Sequence, residues 1–295
     1  MSRALFGPMR VPFLVLAPAC VLLGLGTALW TEGHVSAVQF ILVLIGAEAS
    51  HVSVNAFNEY FDFRSGLDSR TVRTPFSGGS GTLPANPELA RSALGIAAVT
   101  AAITGLVGLY FLWVRGLGLL PLGLAGLFLV VAYTPWLTRN EVTCLIAPGL
   151  GFGTLMVMGT HFALTGHYSW TAFVASLVPF FLVSDLLLLN QFPDVEADRT
   201  VGRRHFPLTI SRSASSLIYS AFLALAYVSI VVGVLLGTLS TVSLIGLGTL
   251  IIAVPLAIGV IRNAEDIKRL VPYMGLNVIV NLATPVLVAI GLLVK

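Results

Sequence analysis

Apolar runs of about twenty residues recur along the whole chain, each closed by a shorter polar or glycine-containing stretch. The pattern predicts nine helices, at roughly 11–30, 37–61, 92–113, 117–137, 142–165, 171–192, 215–237, 240–261 and 272–294. Runs of this length cross ~30 Å of hydrocarbon. Links such as WTEGHVS and VRGLG are short, whereas 62–91 and 193–214 are long and polar. Irregular backbone and polar side chains are costly in lipid, so these two links belong at a water-facing surface.

Composition sharpens this into a class. The 295 residues are 57% hydrophobic and 10% charged, with a mean hydropathy of +0.95, against about 25% charged in soluble domains. The expectation is an all-α polytopic membrane protein, nine helices bundled around a central cavity, forming one domain over 1–295. The first apolar run lacks a small-residue cleavage site and is followed by others, so no removable leader is expected. Cys20 and Cys144 sit in apolar stretches and read as small buried hydrophobes. Net charge is only +3, which gives no reason to expect a nucleic-acid partner, and no motif indicates an oligomeric state.

The placement of charge is more informative than its sum. If nine helices alternate, all but two of the 16 Lys and Arg residues, Arg3 among them, fall on one side; the exceptions are Arg115 and Lys295. The positive-inside rule makes the basic side cytoplasmic. The N-terminus and both long links then face the cytoplasm, with the C-terminus outside, in a cell inner or plasma membrane. Trp30, Trp113, Trp136 and Trp170 fall near helix ends, as an aromatic belt requires.

Both cytoplasmic links open on related acidic motifs. NEYFDFRSGLDSRTVRTPF begins at Asn58, and NQFPDVEADRTVGRRHFPL begins at Asn190. Asn58 aligns with Asn190, Asp62 with Asp194, and Asp68 with Asp198, after a two-residue difference in spacing. The echo suggests two related helix groups, about 1–137 and 142–295. Asn190, Asp194 and Asp198 are spaced i, i+4, i+8 and would form one stripe on a helix. Carboxylates converging from opposed helix ends repel one another. A hard cation such as Mg²⁺ relieves this, taking oxygen ligands and completing its shell with water and substrate phosphate. Arg70, Arg73, Arg199, Arg203 and Arg204 lie in the same links, and guanidinium suits phosphate. FSGGSG at 76–81 adds backbone N–H groups and tight turns. Together these features point to a metal–diphosphate site.

An Asn-acidic-x-x-Asp motif after the second helix and Asn-x-x-x-Asp-x-x-x-Asp after the sixth resemble the UbiA superfamily of intramembrane prenyltransferases, over nearly the whole chain. The resemblance implies a helical bundle with a cavity open laterally to lipid, and Mg²⁺ bridging the two motifs to an isoprenyl diphosphate. It implies that Asn58, Asp62, Asp68, Asn190, Asp194 and Asp198 hold metal, directly or through water. Arg73 and Arg203 would contact diphosphate, with Arg70, Arg199 and Arg204 as further candidates. Asn55-x-x-Asn58-Glu-Tyr-Phe-Asp62, Gly66-x-Asp68, Gly78-Gly79-Ser80-Gly81 and LMVMGTHFALTG at 155–166 are similar to the 1,4-dihydroxy-2-naphthoate polyprenyltransferase branch of menaquinone synthesis. That branch implies a polyprenyl diphosphate donor and an aromatic acceptor as partners. Glu59 stands where Asp is usual, and Arg204-His205-Phe206 where small polar residues are common.

Further polar residues fall inside the apolar runs. Glu48, His51 and Asn55 share a helical face with Asn58 and Asp62, and intramembrane ionisable groups default to a functional reading. Glu48 would orient the acceptor, take its proton, pair with His51, or join helices as a buried polar group. Asn55 and Asp185 are acceptor-side candidates, Asp185 otherwise a structural hydrogen-bonding group. His161 and His167 read as surface or interfacial residues, and Tyr133-Thr134-Pro135 as a helix stop. A cation transporter is a rival reading, but its acidic groups typically lie near the midplane at broken helices. A terpene cyclase, or prenyl transfer to another acceptor such as 4-hydroxybenzoate, homogentisate or a glycerol phosphate, keeps the same site.

Overall fold

A computed structural model describes residues 6–294, so Arg3 and Lys295 lie outside the described residues. Nine long helices follow one another: α1 (Leu16–Glu32), α2 (Ala37–Ser65), α3 (Ala90–Arg115), α4 (Leu120–Ala132), α5 (Glu141–Thr165), α6 (Trp170–Asn190), α7 (Arg212–Leu235), α8 (Thr241–Asn263) and α9 (Ile267–Leu293). Each coincides with a predicted apolar run, and no strand occurs among the described residues. Seven of them are long and apolar enough to cross a bilayer. The other two depart from simple spans for reasons written in their prolines. Before α1, residues Gly7–Phe13 form a separate helical turn set at 53° to Leu16–Glu32. Pro8 and Pro12 break the ladder there, and Arg10 takes a left-handed φ of 51°. The apolar stretch Leu117–Ala132, which contains α4, is shorter than a span, because Pro135 disfavours helix at the residues before it.

Side-chain caps set the other ends. Ser36, Asn140, Ser169, Ser211 and Asp266 each accept a backbone N–H at the start of α2, α5, α6, α7 and α9. Gly66, at φ 76°, ends α2 four residues beyond the predicted stop and brings Arg64 into the last turn. Helix α5 contains a π-helical stretch at Leu150–Leu155, after Pro148. Gly149 and Gly153 face Phe180 of α6 there, and a methyl group at either would collide with the Phe180 backbone.

Helix α2 packs on α3, α6 on α7, and α1 on α5 and α9. The larger core joins Leu182, Leu188, Tyr219, Ile230, Leu256, Met274 and Val288; a smaller one holds Val21, Phe111 and Phe162. Outward-facing positions are apolar instead of polar, for example Leu106, Leu124 and Ile251, as lipid contact requires. Trp113, Trp136 and Trp170 are exposed at helix ends, and Cys20 and Cys144 are buried free thiols. Arg115, the exceptional cation, donates to the carbonyls of Ala163 and Leu164 and to Gln39 Oε1, capping the end of α5. One expectation fails here. His161 is not interfacial but fully buried, with Nδ1 3.0 Å from the Thr27 hydroxyl; only His167 is exposed, 2.8 Å from Glu32 Oε1. A histidine one turn from an apolar helix end carries no sequence mark of which face it takes.

The close approach of α5 to α6 makes a prediction. Gly153→Ala should cost ~1–3 kcal/mol through overpacking, read as a lower midpoint in thermal unfolding in detergent. Gly95→Ala, where nothing lies within 4 Å of the added carbon, should be neutral or slightly stabilising.

Candidate active site

The C-terminal end of α2 and the segment after α6 meet around a chamber of about 270 Å³. Asn58 and Asp62 reach it from the last turns of α2, and Asp68 from the 3₁₀ turn beyond Gly66. Asn190 reaches it from the last residue of α6, and Asp194 and Asp198 from the chain that follows. The second motif is not one helical stripe. Pro193 ends α6, Gln191–Asp194 turn, and a new helical turn runs Val195–Arg199. The Asp198 N–H nevertheless donates to the Asp194 carbonyl at 2.8 Å, so the three side chains still share the chamber wall.

Arg203 lies between the two motifs. Its Nη2 donates to Asp62 Oδ1, and its Nη1 to Asp198 Oδ1 at 3.1 Å. Asp198 also accepts from His205 Nε2 at 3.0 Å, where burial is complete enough that the pair excludes bulk water. A second arginine enters from the N-terminal turn: Arg10 donates to Glu59 Oε1 at 2.8 Å and to Asn58 Oδ1 at 2.9 Å. Asn58 in turn donates to the Thr134 hydroxyl at 3.2 Å, and Asn55 to the Met9 carbonyl at 3.1 Å. Glu59 is fully buried and turns from the chamber to the glycine-rich loop, accepting from Ser80 N at 2.7 Å and Ser80 Oγ at 2.8 Å. Gly79, at φ 70°, lets that loop lie against Asp68 and Glu59; a side chain would meet Asp68 Oδ1 at 2.9 Å.

Two carboxylate oxygens in this cluster are buried without partners, Asp68 Oδ2 and Asp194 Oδ1. Burial first, then Glu59 and Asp62, push Asp68 up to about 7; burial and the Asp198 charge push Asp194 up to about 7. Carboxyl oxygens without protein partners, facing a chamber beside amide groups, make a hard donor set that fits Mg²⁺ once the protons are released to a bound cation. Among the described residues no three His, Cys, Asp or Glu groups converge at ligating distance, and the guanidinium of Arg203 stands between Asp62 and Asp198. The sites open to a cation are thus single oxygens on each wall, leaving the remaining coordination to water and phosphate.

Other expected residues stand elsewhere. Arg70, Arg199 and Arg204 are exposed and do not line the chamber; Arg204 faces Glu141 at 3.7 Å. Arg73 is exposed too, its guanidinium lying against Gly81 and donating to the Asp68 carbonyl at 3.4 Å. The polar link solvates these long cations more cheaply than the chamber does. Glu48 makes no ion pair with His51 among the described residues, and Asp185 is fully buried in the core outside the chamber wall, both oxygens unpartnered. Arg10, His205 and Tyr133 line the chamber without having been assigned to it, and Glu59, noted within the first motif, holds Arg10 from behind. Arg10 lies 48 residues before its partner Asn58, so only the fold brings it there, whereas His205, after the second motif, was within sequence reach.

Two predictions follow from these charges. Replacing Arg203 with Met strands Asp62 and Asp198 and should cost ~3–5 kcal/mol, measured by denaturant or thermal unfolding. Asp68 and Asp194 hold protons in the folded chain up to about pH 7 but lose them near 3.8 when unfolded. The folded state therefore binds more protons between those values, and stability should fall as pH rises from about 4 to about 7. Asp68→Asn and Asp194→Asn should each flatten that slope in metal-free buffer.

Comparison with known proteins places this geometry. The profile of the UbiA prenyltransferase family matches residues 16–279. The chain is 26% identical over 229 residues to the 1,4-dihydroxy-2-naphthoate octaprenyltransferase of Bacillus subtilis, covering 75% of this chain and 70% of that protein. The fold is that of the apo UbiA homologue from Aeropyrum pernix, with a TM-score of 0.73, 18% identity and 97% of this chain and 98% of that chain covered. It is also that of the UbiA homologue from Archaeoglobus fulgidus solved with GPP and Mg²⁺, with a TM-score of 0.63, 12% identity, and 97% and 99% coverage. The chain belongs to the UbiA prenyltransferase family and is a membrane-embedded transferase.

Proposed function

We propose that the protein transfers a polyprenyl group from an isoprenyl diphosphate to an aromatic acceptor in a Mg²⁺-dependent reaction, the acceptor being 1,4-dihydroxy-2-naphthoate, which is decarboxylated on the route to menaquinone. The observation that carries the reading is that two acidic motifs and two arginines from distant parts of the chain face one chamber, which continues into an apolar groove. The groove, of about 620 Å³, runs between α2, α3, α4 and α5 and shares Ser50, Gly126, Gly151 and Met156 with the chamber. A diphosphate suits the polar end and a polyprenyl tail the apolar one. The Bacillus relative supports the choice of acceptor.

Asp62, Asp68, Asp194 and Asp198, with Asn58 and Asn190, hold the metal in this reading. Bound Mg²⁺ supplies Lewis-acid neutralisation of the diphosphate. Arg10 and Arg203 exchange their carboxylate and amide partners for phosphate oxygens and stabilise the charge that grows on the leaving group. The C–O bond to the allylic carbon breaks, the pair staying on diphosphate; the carboxylated ring carbon of the acceptor forms the new C–C bond, and its bond to the carboxylate breaks, releasing CO₂ and returning that pair to the ring. The apolar walls keep water from the allylic cation. The charge asymmetry supports nine spans in a cell inner or plasma membrane, with both motifs cytoplasmic and the C-terminus opposite. The repeated Asn-x-x-x-Asp supports one domain built of two related helix groups.

Purified protein in lipid, given Mg²⁺, geranylgeranyl diphosphate and a panel of aromatic acceptors, should yield a prenylated, decarboxylated naphthoquinol by mass spectrometry. Asp62→Ala and Asp194→Ala should abolish it. A cyclised hydrocarbon, or another acceptor prenylated, would overturn the acceptor; no diphosphate release with any donor would return the transporter reading.

A further inference from the structure

We infer that His51 binds a hydroxyl group of the aromatic acceptor, an assignment that rests on the function proposed above. His51 lines the chamber from α2 and is 4% exposed. Its ring stands edge-on to Phe152, at 4.6 Å between centroids and 74° between planes. Its Nδ1 is buried without a hydrogen-bond partner. An unpaired imidazole nitrogen in an apolar wall is costly, and a phenolic hydroxyl in the chamber would relieve it.

The depth agrees with the chemistry. His51 lies seven residues before Asn58 and eleven before Asp62 on one uninterrupted helix, so roughly 10 and 16 Å deeper along its axis. A diphosphate held at the Asp62 end places its allylic carbon just beyond the phosphate, and a ring attacking that carbon lies deeper still. Its far hydroxyl then reaches the level of His51. Ser50 and Asn190 also line the chamber, but His51 is the group of α2 whose buried polar atom has no partner among the described residues. The Asn55 amide is held by the Met9 carbonyl, and Asp185 does not line the chamber. Asn281 keeps one free oxygen, but its amide nitrogen is already tied to Asn277. Phe152, which also lines the chamber, offers a ring edge against which a planar acceptor can lie. The π-helical stretch of α5 carries Phe152.

The test crosses enzyme and acceptor deletions. Wild type, His51→Phe and His51→Gln would be assayed with 1,4-dihydroxy-2-naphthoate and with its 1- and 4-monomethyl ethers. His51→Phe should raise the acceptor KM about tenfold, and His51→Gln, which keeps a hydrogen-bonding group, should recover most of it. One ether should show the same loss with wild type yet no further loss with His51→Phe, the non-additivity of a shared contact. Binding of radiolabelled geranylgeranyl diphosphate without acceptor should be unchanged. Additive losses for both ethers, or a donor affinity that falls with the acceptor affinity, would overturn the assignment. Acceptor binding, followed by naphthol fluorescence, separates the two hypotheses. If wild type binds the naphthol through His51 but prenylates nothing, the proposed function fails and the site stands; if it prenylates and His51→Phe binds equally well, the reverse holds.

Discussion

The guanidinium of Arg203 between Asp62 and Asp198 is the contact on which the arrangement of this protein turns. It ties the end of α2 to the chain after α6, across 141 positions of sequence. Three charges share a space nearly closed to water, and each makes the other two tolerable. Removing the cation would leave two carboxylates facing one another in a low-dielectric chamber. The same bridge keeps the two halves of the bundle in register, because α2 belongs with the smaller core and α6 with the larger. In the function proposed above, the diphosphate would meet a cation already in place.

Around this bridge the supporting contacts form a second ring. Arg10 comes from the turn before α1, held in a left-handed conformation between two prolines. It fastens Glu59, and Glu59 fastens the glycine-rich loop through Ser80. Three separate segments, the N-terminal turn, the end of α2 and the first polar link, are thereby joined through one carboxylate. Glutamate at this position has the extra methylene needed to reach past the chamber to the loop, while Asp62 one turn later points at Arg203.

Much of this was legible in the linear chain. Among the described residues the nine apolar runs coincide with nine helices, seven of them long and apolar enough to cross a bilayer. The paired Asn-x-x-x-Asp motifs line one chamber, although only the first lies on a continuous helix and the second is broken by a turn at Gln191–Asp194. What was hidden depended on long-range placement. Arg10 reads as one basic residue near a terminus, and nothing local links it to Asn58. Arg70, Arg199 and Arg204 read as further phosphate candidates, yet each is exposed and lines no part of the chamber. The π-helical stretch at Leu150–Leu155 was invisible as well, since Pro148 and three glycines signal a break without saying that the backbone absorbs it by widening.

The brevity of Leu117–Ala132 has a consequence for the surrounding lipid. At ~1.5 Å per residue that stretch is about 24 Å long, against ~30 Å of hydrocarbon. A span shorter than the hydrocarbon is matched by local thinning of the bilayer, by flanking side chains that snorkel, or by association with another chain. The same stretch forms one side of the apolar groove, through Leu120, Leu124 and Leu127. One side of the groove is therefore also a place where protein and hydrocarbon differ in thickness, so the lipid packed against it carries the mismatch.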